Sequence, residues 1–313
     1  KIGLETIFQT NTNYSNQILP NSKRIDFSFY SFYNNEISLL NFQIGTRIDQ
    51  KSITANNVTL KFLDYTFSYG NTFTLLNQSY RFNFSRGFRF PNLYELFVEG
   101  FRNRSNRYEI GNPILENEKN LSLDLGLNFH SNNMSIDIAS FLNYIKNYIF
   151  LKKIENSSDS DTLIYKYIQE DAVLNGYEIE LDFHPRFIKF LTNKTTFSIV
   201  RGQMINTSNN LPMIPADHIN NELILKFGKY QNFEVKLNLN YYFKQHRIFD
   251  RETKSSDYLT TDLGVKLTKG QQEGSLHVNN LFNKEYIPHL SVLKDLQIPE
   301  PGRNINLKYS INF

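Results

Sequence analysis

The densest group of residues able to bind a charged ligand is a cluster of arginines. Arg102, Arg104 and Arg107 fall within one short stretch and are followed directly by Tyr108 and Glu109. A guanidinium group pairs with carboxylate or phosphate through two parallel hydrogen bonds. The cluster and its two neighbours therefore predict a binding site for an anionic ligand.

The other reactive residue types lack the spacing that catalysis or metal binding needs. The chain has no Cys, and its six His are scattered, with no G-x-S-x-G, H-E-x-x-H or P-loop motif. Asp159-Ser160-Asp161 carries oxygen ligands that suit Ca²⁺, but without the glycine and bidentate Glu of a loop site we favour a solvated acidic loop. His289 is a candidate ligand, although a packing or hydrogen-bonding role is favoured for a lone loop histidine. We predict no enzyme, no resident metal and no cofactor.

The elements that position these residues are extended strands with two unlike faces. Apolar and polar residues alternate over segments of about ten residues, and successive side chains of a strand point to opposite faces. This pattern is typical of a transmembrane antiparallel β-barrel, in which only every second residue faces lipid. No run of about 18 apolar residues occurs. The clearest segments are Leu121–Phe129, Tyr177–Phe183, Phe233–Phe243 and Asn304–Phe313.

The connections between these strands alternate between short and long, which predicts about fourteen strands. Aromatic residues are frequent beside the short connections, as expected of a membrane-interface girdle. Short periplasmic turns and long outer loops place the carboxy terminus in the periplasm. The short connections are Asn34-Asn35, Gly70-Asn71, His130–Asn133, His184–Lys189, Gly228–Asn232 and Lys269–Gln272, and the long ones lie near 10–24, 50–58, 86–120, 152–162, 204–217, 247–257 and 281–302.

The net charge of +3 is modest and the basic residues form no nucleic-acid face, so no nucleic-acid partner is expected. For a barrel of this kind the expected surroundings are outer-membrane lipid and lipopolysaccharide. The arginine cluster therefore has an alternative role to binding an anionic ligand. Its side chains would then bind lipopolysaccharide, or neighbouring carboxylates such as Glu99 and Glu109.

Several loop motifs, in this order, resemble those of TonB-dependent outer-membrane receptors. The first is Ser85–Phe97, which is similar to an "RGFRAPN–ELF" signature with Phe90 where Ala is usual. The others are Arg107–Pro113, Asn280–Tyr286 and the closing segment from His289 to Asn304. The residues that carry the resemblance are Arg86, Phe88, Arg89, Pro91, Asn92, Glu95, Gly111, Asn112, Pro113, Asn280, Leu281, Phe282, Tyr286, Gly302, Arg303 and the terminal Phe313.

The resemblance implies a 22-stranded barrel that is plugged by an amino-terminal domain. Residues 1–313 would be one barrel domain, the carboxy-terminal portion of such a receptor, with about eight strands and the plug missing upstream. The implied function is active uptake of a scarce nutrient such as a metal chelate. The implied partners are the plug, TonB through the plug, the barrel assembly machinery through the last strand, and, as a further candidate, a surface lipoprotein. Arg303 would form an inward ion pair with lumen carboxylates or with the plug.

Two other functions remain open at this point. A self-contained channel of about fourteen strands would pass solutes by diffusion, because closed barrels of that size exist. A surface-binding protein would use the barrel only as an anchor. No histidine precedes the Arg107–Pro113 motif, which argues against a metal or haem ligand there.

Overall fold

The computed structural model describes residues 1–14, 18–102, 107–154, 163–229, 232–250 and 252–311, and almost all of its regular structure is β-strand. The first half contains β1 (Ile2–Asn11), β2 (Ser22–Ile37), β3 (Leu40–Ala55), β4 (Val58–Leu75), β5 (Gln78–Arg89), α1 (Leu93–Phe97), β6 (Glu99–Arg102), β7 (Arg107–Ile110) and β8 (Glu118–His130). The second half contains β9 (Met134–Ile154), β10 (Leu163–Phe183), β11 (Leu191–Met204), β12 (His218–Phe227), β13 (Phe233–Tyr242), β14 (Tyr258–Lys269), β15 (Gln272–Asn279) and β16 (Asn304–Ile311).

Fourteen of these strands form one continuous antiparallel wall in chain order, from β1 through β5 and then from β8 to β16. The predicted all-β barrel wall of about fourteen strands is therefore confirmed. The short strands β6 and β7 lie off this path and pair with each other. None of the helices among the described residues has the length and apolar character needed to cross a membrane.

The register of the strands separates an apolar face from a polar face. In β10, Tyr177 and Ile179 lie on the apolar face, opposite Ile199 and Phe197 of β11. Glu178, Glu180 and Asp182 lie on the polar face of the same strand. There, charges pair between strands, as in Lys194–Asp182 at 3.5 Å and Arg81–Asp137 at 2.7 Å. The two faces therefore suit two different solvents, as the alternation predicts.

Two of the predicted short turns are misplaced. Asn34-Asn35 and Gly70-Asn71 lie inside strands, and the chain reverses at residues 38–39 and 76–77 instead. Asn and Gly favour turns locally, but continued pairing of the strands outweighs this preference. Ser38 and Leu76 accept positive φ angles of 54° and 52° as a result.

The predicted long loop at residues 50–58 is also wrong. β3 and β4 continue pairing until Ala55 faces Val58, and only Asn56 and Asn57 connect them. Both asparagines have positive φ angles, of 49° and 60°. A two-residue hairpin with this left-handed pair follows the twist of its strands, and Asn tolerates the conformation better than most residues.

The remaining connections agree with the predicted alternation. Short ones occupy 131–133, 184–190 and 270–271, and long ones occupy 12–21, 90–117, 205–217, 243–257 and 280–303. Aromatic rings meet beside the short turns, as in Phe190–Phe227 with ring centroids 5.4 Å apart. Residues 155–162, with the acidic run discussed above, lie outside the described residues.

The wall ends in two edges. β1 pairs only with β2, and β16 pairs only with β15, so no ladder joins β1 to β16 among the described residues. Their unpaired sides present a row of backbone N–H and C=O groups.

Candidate functional site

The candidate site begins where the wall divides between β4 and β5. Phe67 and Arg86 form the last pair of the β4–β5 ladder, beyond which β5 continues to pair with β8. Arg86 fills the gap, with Nη2 at 2.7 Å from Asp64 Oδ1 and its guanidinium 3.8 Å from the centre of the Tyr65 ring. Asn117 donates to Asp64 from the other side at 2.9 Å. Arg86 therefore has a structural role, and the segment 90–117 emerges from this gap.

The first family motif forms a compact anchor for that segment. Arg89 donates from Nη1 to Glu95 at 2.8 Å and also binds Glu118 through Nε. Asn92 caps α1 by accepting from the Glu95 N–H at 2.9 Å, while the Glu95 carboxylate accepts from the Asn92 N–H at 2.9 Å. Such a capping box satisfies two helix N–H groups that would otherwise lack partners. Phe88 packs on Phe90 with ring centroids 4.6 Å apart, and Pro91 is fully buried.

The second motif locks the end of the same segment onto α1. A Cβ atom on Gly111 would lie 2.6 Å from Phe97 N and 2.7 Å from Leu96 O, so only glycine fits there. Asn112 donates from its backbone to Glu95 O at 2.8 Å and from its side chain to Tyr167 O at 3.0 Å. Pro113 lies in the exposed turn that follows.

The hairpin β6–β7 lies across the long-loop end of the wall. β7 runs parallel to the first residues of β10, with Arg107 facing Leu163. On the other side of the hairpin, Glu99 N donates to Ile18 O of the first long loop at 3.0 Å. The hairpin therefore links β10 to the first long loop and carries Arg102 and Arg107.

Glu109 contacts Arg107 and lies close to Arg102, the two described arginines of that cluster. The side chain of Glu109 is only 3% exposed; it accepts from Arg107 Nε at 2.6 Å and from the Tyr94 hydroxyl, while Arg102 Nε lies 3.8 Å away. Arg102 also donates to the Tyr94 hydroxyl and stacks over its ring at 4.5 Å.

The protonation state of Tyr94 and the charge of the cluster follow from these contacts. Burial and the hydrogen bond to Glu109 raise the pKa of Tyr94 to about 12, so the phenol stays protonated at neutral pH. Because Arg102 and Arg107 both face the single carboxylate of Glu109, these three side chains together carry one positive charge. Tyr108 lies opposite Phe101 in the hairpin and is partly exposed, whereas Arg104 lies outside the described residues.

His289 lies in a separate cluster that ties the last two long loops together. Its Nδ1 is 2.8 Å from Ser255 Oγ and 2.9 Å from Lys294 Nζ, and Lys294 also donates to Thr253 O. Because an ammonium group can only donate, Nδ1 is the acceptor and the ring is neutral. Burial, and then the Lys294 charge, lower the pKa of His289. These contacts support the favoured packing and hydrogen-bonding role over a ligand role.

The third motif, Asn280–Tyr286, follows β15 and lies next to this cluster. Asn280 donates from its N–H to Asp262 Oδ1 at 2.8 Å, and its side chain holds both backbone groups of Lys284. Leu281 N donates to Thr261 O at 2.7 Å, Tyr286 stacks on Tyr258 at 4.6 Å, and Phe282 is largely exposed.

The closing segment is held by its backbone. A Cβ atom on Gly302 would lie 2.6 Å from Asn283 Oδ1, and that oxygen accepts from the Arg303 N–H at 2.8 Å. The expected inward ion pair of Arg303 is not formed with any described residue. Phe313 lies outside the described residues.

The structure thus brings Arg102, Arg107 and Glu109 together, leaves Tyr108 beside them in the hairpin opposite Phe101, and places His289 elsewhere. Within the part of the chain that the structure describes, no group of three or more His, Asp or Glu side chains could hold a metal. The partner that sequence reasoning missed is Tyr94, which joins Arg102 to Glu109. Its position within the first motif, next to Glu95, was the available signal.

A sequence model of the family described as "TonB dependent receptor-like, beta-barrel" matches residues 4–281. Among solved structures, the copper transporter OprC superposes with a TM-score of 0.81 at 18% identity, over 93% of this chain and 48% of OprC. The hemophore receptor HasR of Serratia marcescens, solved with its hemophore HasA and heme, gives a TM-score of 0.72 at 14% identity, over 97% of this chain and 54% of HasR.

The FrpB iron transporter from Neisseria meningitidis (F3-3 variant) gives a TM-score of 0.69 at 15% identity, over 92% of this chain and 45% of FrpB. This chain therefore spans about half the length of the solved structures that it matches. At these identities the likeness shows a shared fold.

Proposed function

The chain belongs to the TonB-dependent receptors, and on that premise we propose that it forms part of the wall of an outer-membrane transporter for active uptake of a scarce nutrient. The family match over residues 4–281 is the observation that carries the proposal. The proposed substrate is a metal chelate, siderophore-like, or another small ligand. OprC is a copper transporter, FrpB an iron transporter, and HasR a receptor solved with heme. We propose no enzymatic activity.

The two free edges support the proposed architecture. Unpaired backbone groups are costly in lipid, so a barrel wall must close on itself or on other strands. We therefore propose that residues 1–313 are the carboxy-terminal portion of a larger barrel. The proposed setting is the outer membrane of a Gram-negative cell, in contact with lipid and lipopolysaccharide, with the carboxy terminus in the periplasm. A plug domain, TonB acting through it, the barrel assembly machinery and a surface lipoprotein are the proposed partners.

The polar face supports a hydrated transport path. Its charged side chains pair between strands, which leaves a wall that favours water over lipid. In the proposed mechanism the nutrient binds at the long-loop end. Energy that TonB transmits to the plug then opens the path along this wall.

The arginine cluster is the proposed first contact for an anionic nutrient. Its described members carry one uncompensated positive charge next to the hairpin tip. Arg102 is the better candidate, since Arg107 bonds directly to the buried carboxylate of Glu109 at 2.6 Å and Arg102 lies further away.

The central experiment is nutrient uptake by the receptor that contains this chain, produced in cells with and without TonB. The candidate substrates are ferric siderophores, copper and heme, supplied at limiting concentration. We expect accumulation of one of them in the cells with TonB, and its loss in the cells without TonB. Equal accumulation in both would instead identify a passive channel.

The ligand role of the arginine cluster is tested by Arg102→Gln, which leaves Glu109 paired with Arg107. Uptake should weaken and become less sensitive to salt, because an electrostatic contribution has been removed. Arg186→Gln, in the short turn at the other end of the wall, is the matched control. Unchanged uptake at unchanged surface abundance would return the cluster to the lipopolysaccharide or internal-pairing interpretation.

A further inference from the structure

A cavity lies beside the arginine cluster, between the polar face of β1 to β3, the start of α1 and the first long loop. Its volume is about 270 Å³. Arg24 and Lys51 supply two cations to its lining, Asn92 and Tyr94 reach it from the first motif, and no carboxylate lines it. The two charged residues of the lining are therefore both cations.

Lys51 is the group in this lining without a polar partner. Its ammonium lies 5.2 Å from the centre of the Phe90 ring and makes no hydrogen bond or ion pair with any described residue. A Lys ammonium has three donors and no acceptor, so all three remain available.

The other charged groups near Lys51 have direct partners. Arg24 binds Asp26 through Nε at 2.9 Å and reaches Gln9 with Nη1 at 3.3 Å. Arg89 is held between Glu95 and Glu118, so this group keeps one negative charge. Neither carboxylate lines the cavity or bonds to Lys51, so the Lys51 ammonium is the lining cation without a direct polar partner.

Apolar side chains complete the lining and narrow the ligand class. Leu19, Ile53 and Leu93 border the cavity opposite its cations. An inorganic anion would leave these surfaces without contacts, whereas an organic acid places its carbon skeleton against them. Binding sites commonly combine such apolar walls with a few polar groups that fix orientation.

We propose that this cavity binds a small organic carboxylate, either free or as part of a larger nutrient, with the carboxylate on Lys51. The transport role of the cavity rests on the proposed function, but binding itself does not. The cavity shares Tyr94 with the arginine cluster, so the two form neighbouring sites on one side of the mouth.

The test is binding of succinate to the purified, detergent-solubilised receptor, measured by saturation-transfer NMR. Succinamide is the neutral probe of similar shape, and inorganic phosphate is the anion without a carbon skeleton. Wild-type receptor should bind succinate, with succinamide and phosphate at least tenfold weaker. Absence of succinate binding, or equal binding of either comparison probe, overturns the proposal without any variant.

Variants then locate the site. Lys51→Gln should weaken succinate binding about tenfold or more, and Lys51→Arg should retain most of it. Lys61→Gln is the matched control, since Lys61 is exposed on the neighbouring strand and pairs in register with Ser52, on the opposite face from Lys51. Equal succinate affinity of wild type and Lys51→Gln overturns the assignment. Succinate binding without TonB-dependent uptake would support the binding site in the cavity and contradict the proposed transport function. TonB-dependent uptake without succinate binding would support the transport function and contradict the binding site.

Discussion

At the scale of single residues, the mouth of the wall depends on one buried carboxylate. Glu109 receives Arg107 and Tyr94 directly and lies close to Arg102. The arginines were predicted as ligand contacts, and the described ones also have an internal partner. A role in ligand binding and a role in holding the hairpin are therefore carried by the same side chains, and each needs its own experiment.

Glu109→Gln should loosen the β6–β7 hairpin. The substitution removes the charged partner of two guanidinium groups whose side chains are 38% and 35% exposed, so we expect a loss of about 1 kcal/mol in local stability. Hydrogen exchange of residues 99–110 should become faster. Glu99→Gln, which removes an exposed charge from the same hairpin, is the control and should change little. Equal protection in both variants would show that Glu109 does not hold the hairpin.

The His289 cluster should make the last two long loops sensitive to acid. Its folded pKa lies below the ordinary value of 6.5, so the unfolded form binds protons more readily. The stabilising contribution is therefore complete above pH 6.5 and is lost as the pH falls below it, when a charged His289 would face the Lys294 ammonium.

Hydrogen exchange of residues 243–257 and 280–303 at pH 7.5 and pH 5 measures this effect. Exchange should become faster at pH 5 in the wild type, and His289→Gln should flatten the difference. His130→Gln, at the last residue of β8 near the short-turn end of the wall, should leave it intact. A wild-type response that survives in His289→Gln would assign the acid sensitivity to Glu252 or to other carboxylates.

At the scale of elements, the β3–β4 hairpin shows how pairing decides where strands end. Asn56 and Asn57 are ordinary loop residues by composition, and the surrounding sequence predicts a long loop. The pairing extends to Ala55 and Val58 because cross-strand contacts continue to that point. The turn then requires two left-handed residues, which Asn supplies more readily than a branched residue.

Asn57→Val should destabilise the hairpin by about 1–2 kcal/mol, the usual cost of a left-handed conformation for a residue with a branched side chain. Asn34→Val is the matched control, because Asn34 lies in a regular strand opposite Gln43, where a β-branched residue is favourable. Urea unfolding of the refolded receptor in detergent measures both. A larger loss from Asn34→Val would reinstate the turn predicted at Asn34-Asn35.

At the scale of the whole molecule, the two faces of the wall determine where the protein resides. Leu307 of β16 faces Leu276 on the apolar side, and its neighbour Lys308 faces Ser275 on the polar side. Tyr177 and Glu178 of β10 show the same division, so an exchange of polarity has opposite effects at adjacent positions.

Leu307→Arg should cost about 2–4 kcal/mol if this position lies near the bilayer midplane, because a charge then faces lipid. Lys308→Leu should be mild, since it changes a hydrated face. Heat-modifiable migration and the level of the receptor in the outer membrane measure assembly. Equal effects of the two substitutions would contradict the assignment of the faces.

The sequence by itself determined the fold class, the two faces and most of the loops. Alternation with a period of two is a local property of the chain, and it persists whatever the strand pairs with. The motifs around Arg89, Gly111 and Asn280 were likewise identified from the sequence, because each is short and its residues contact one another or close neighbours.

Only the tertiary structure decided where β2 to β5 turn, that Arg102 and Arg107 face Glu109, and that Lys51 borders a cavity without a polar partner. The physical reason is that these features depend on contacts between residues that are far apart in the sequence. Turn positions depend on how far two ladders continue to gain cross-strand contacts. The surroundings of Lys51 are assembled from β1, β2, the first long loop and α1, which the sequence separates widely. Such contacts depend on register, which composition and periodicity leave open.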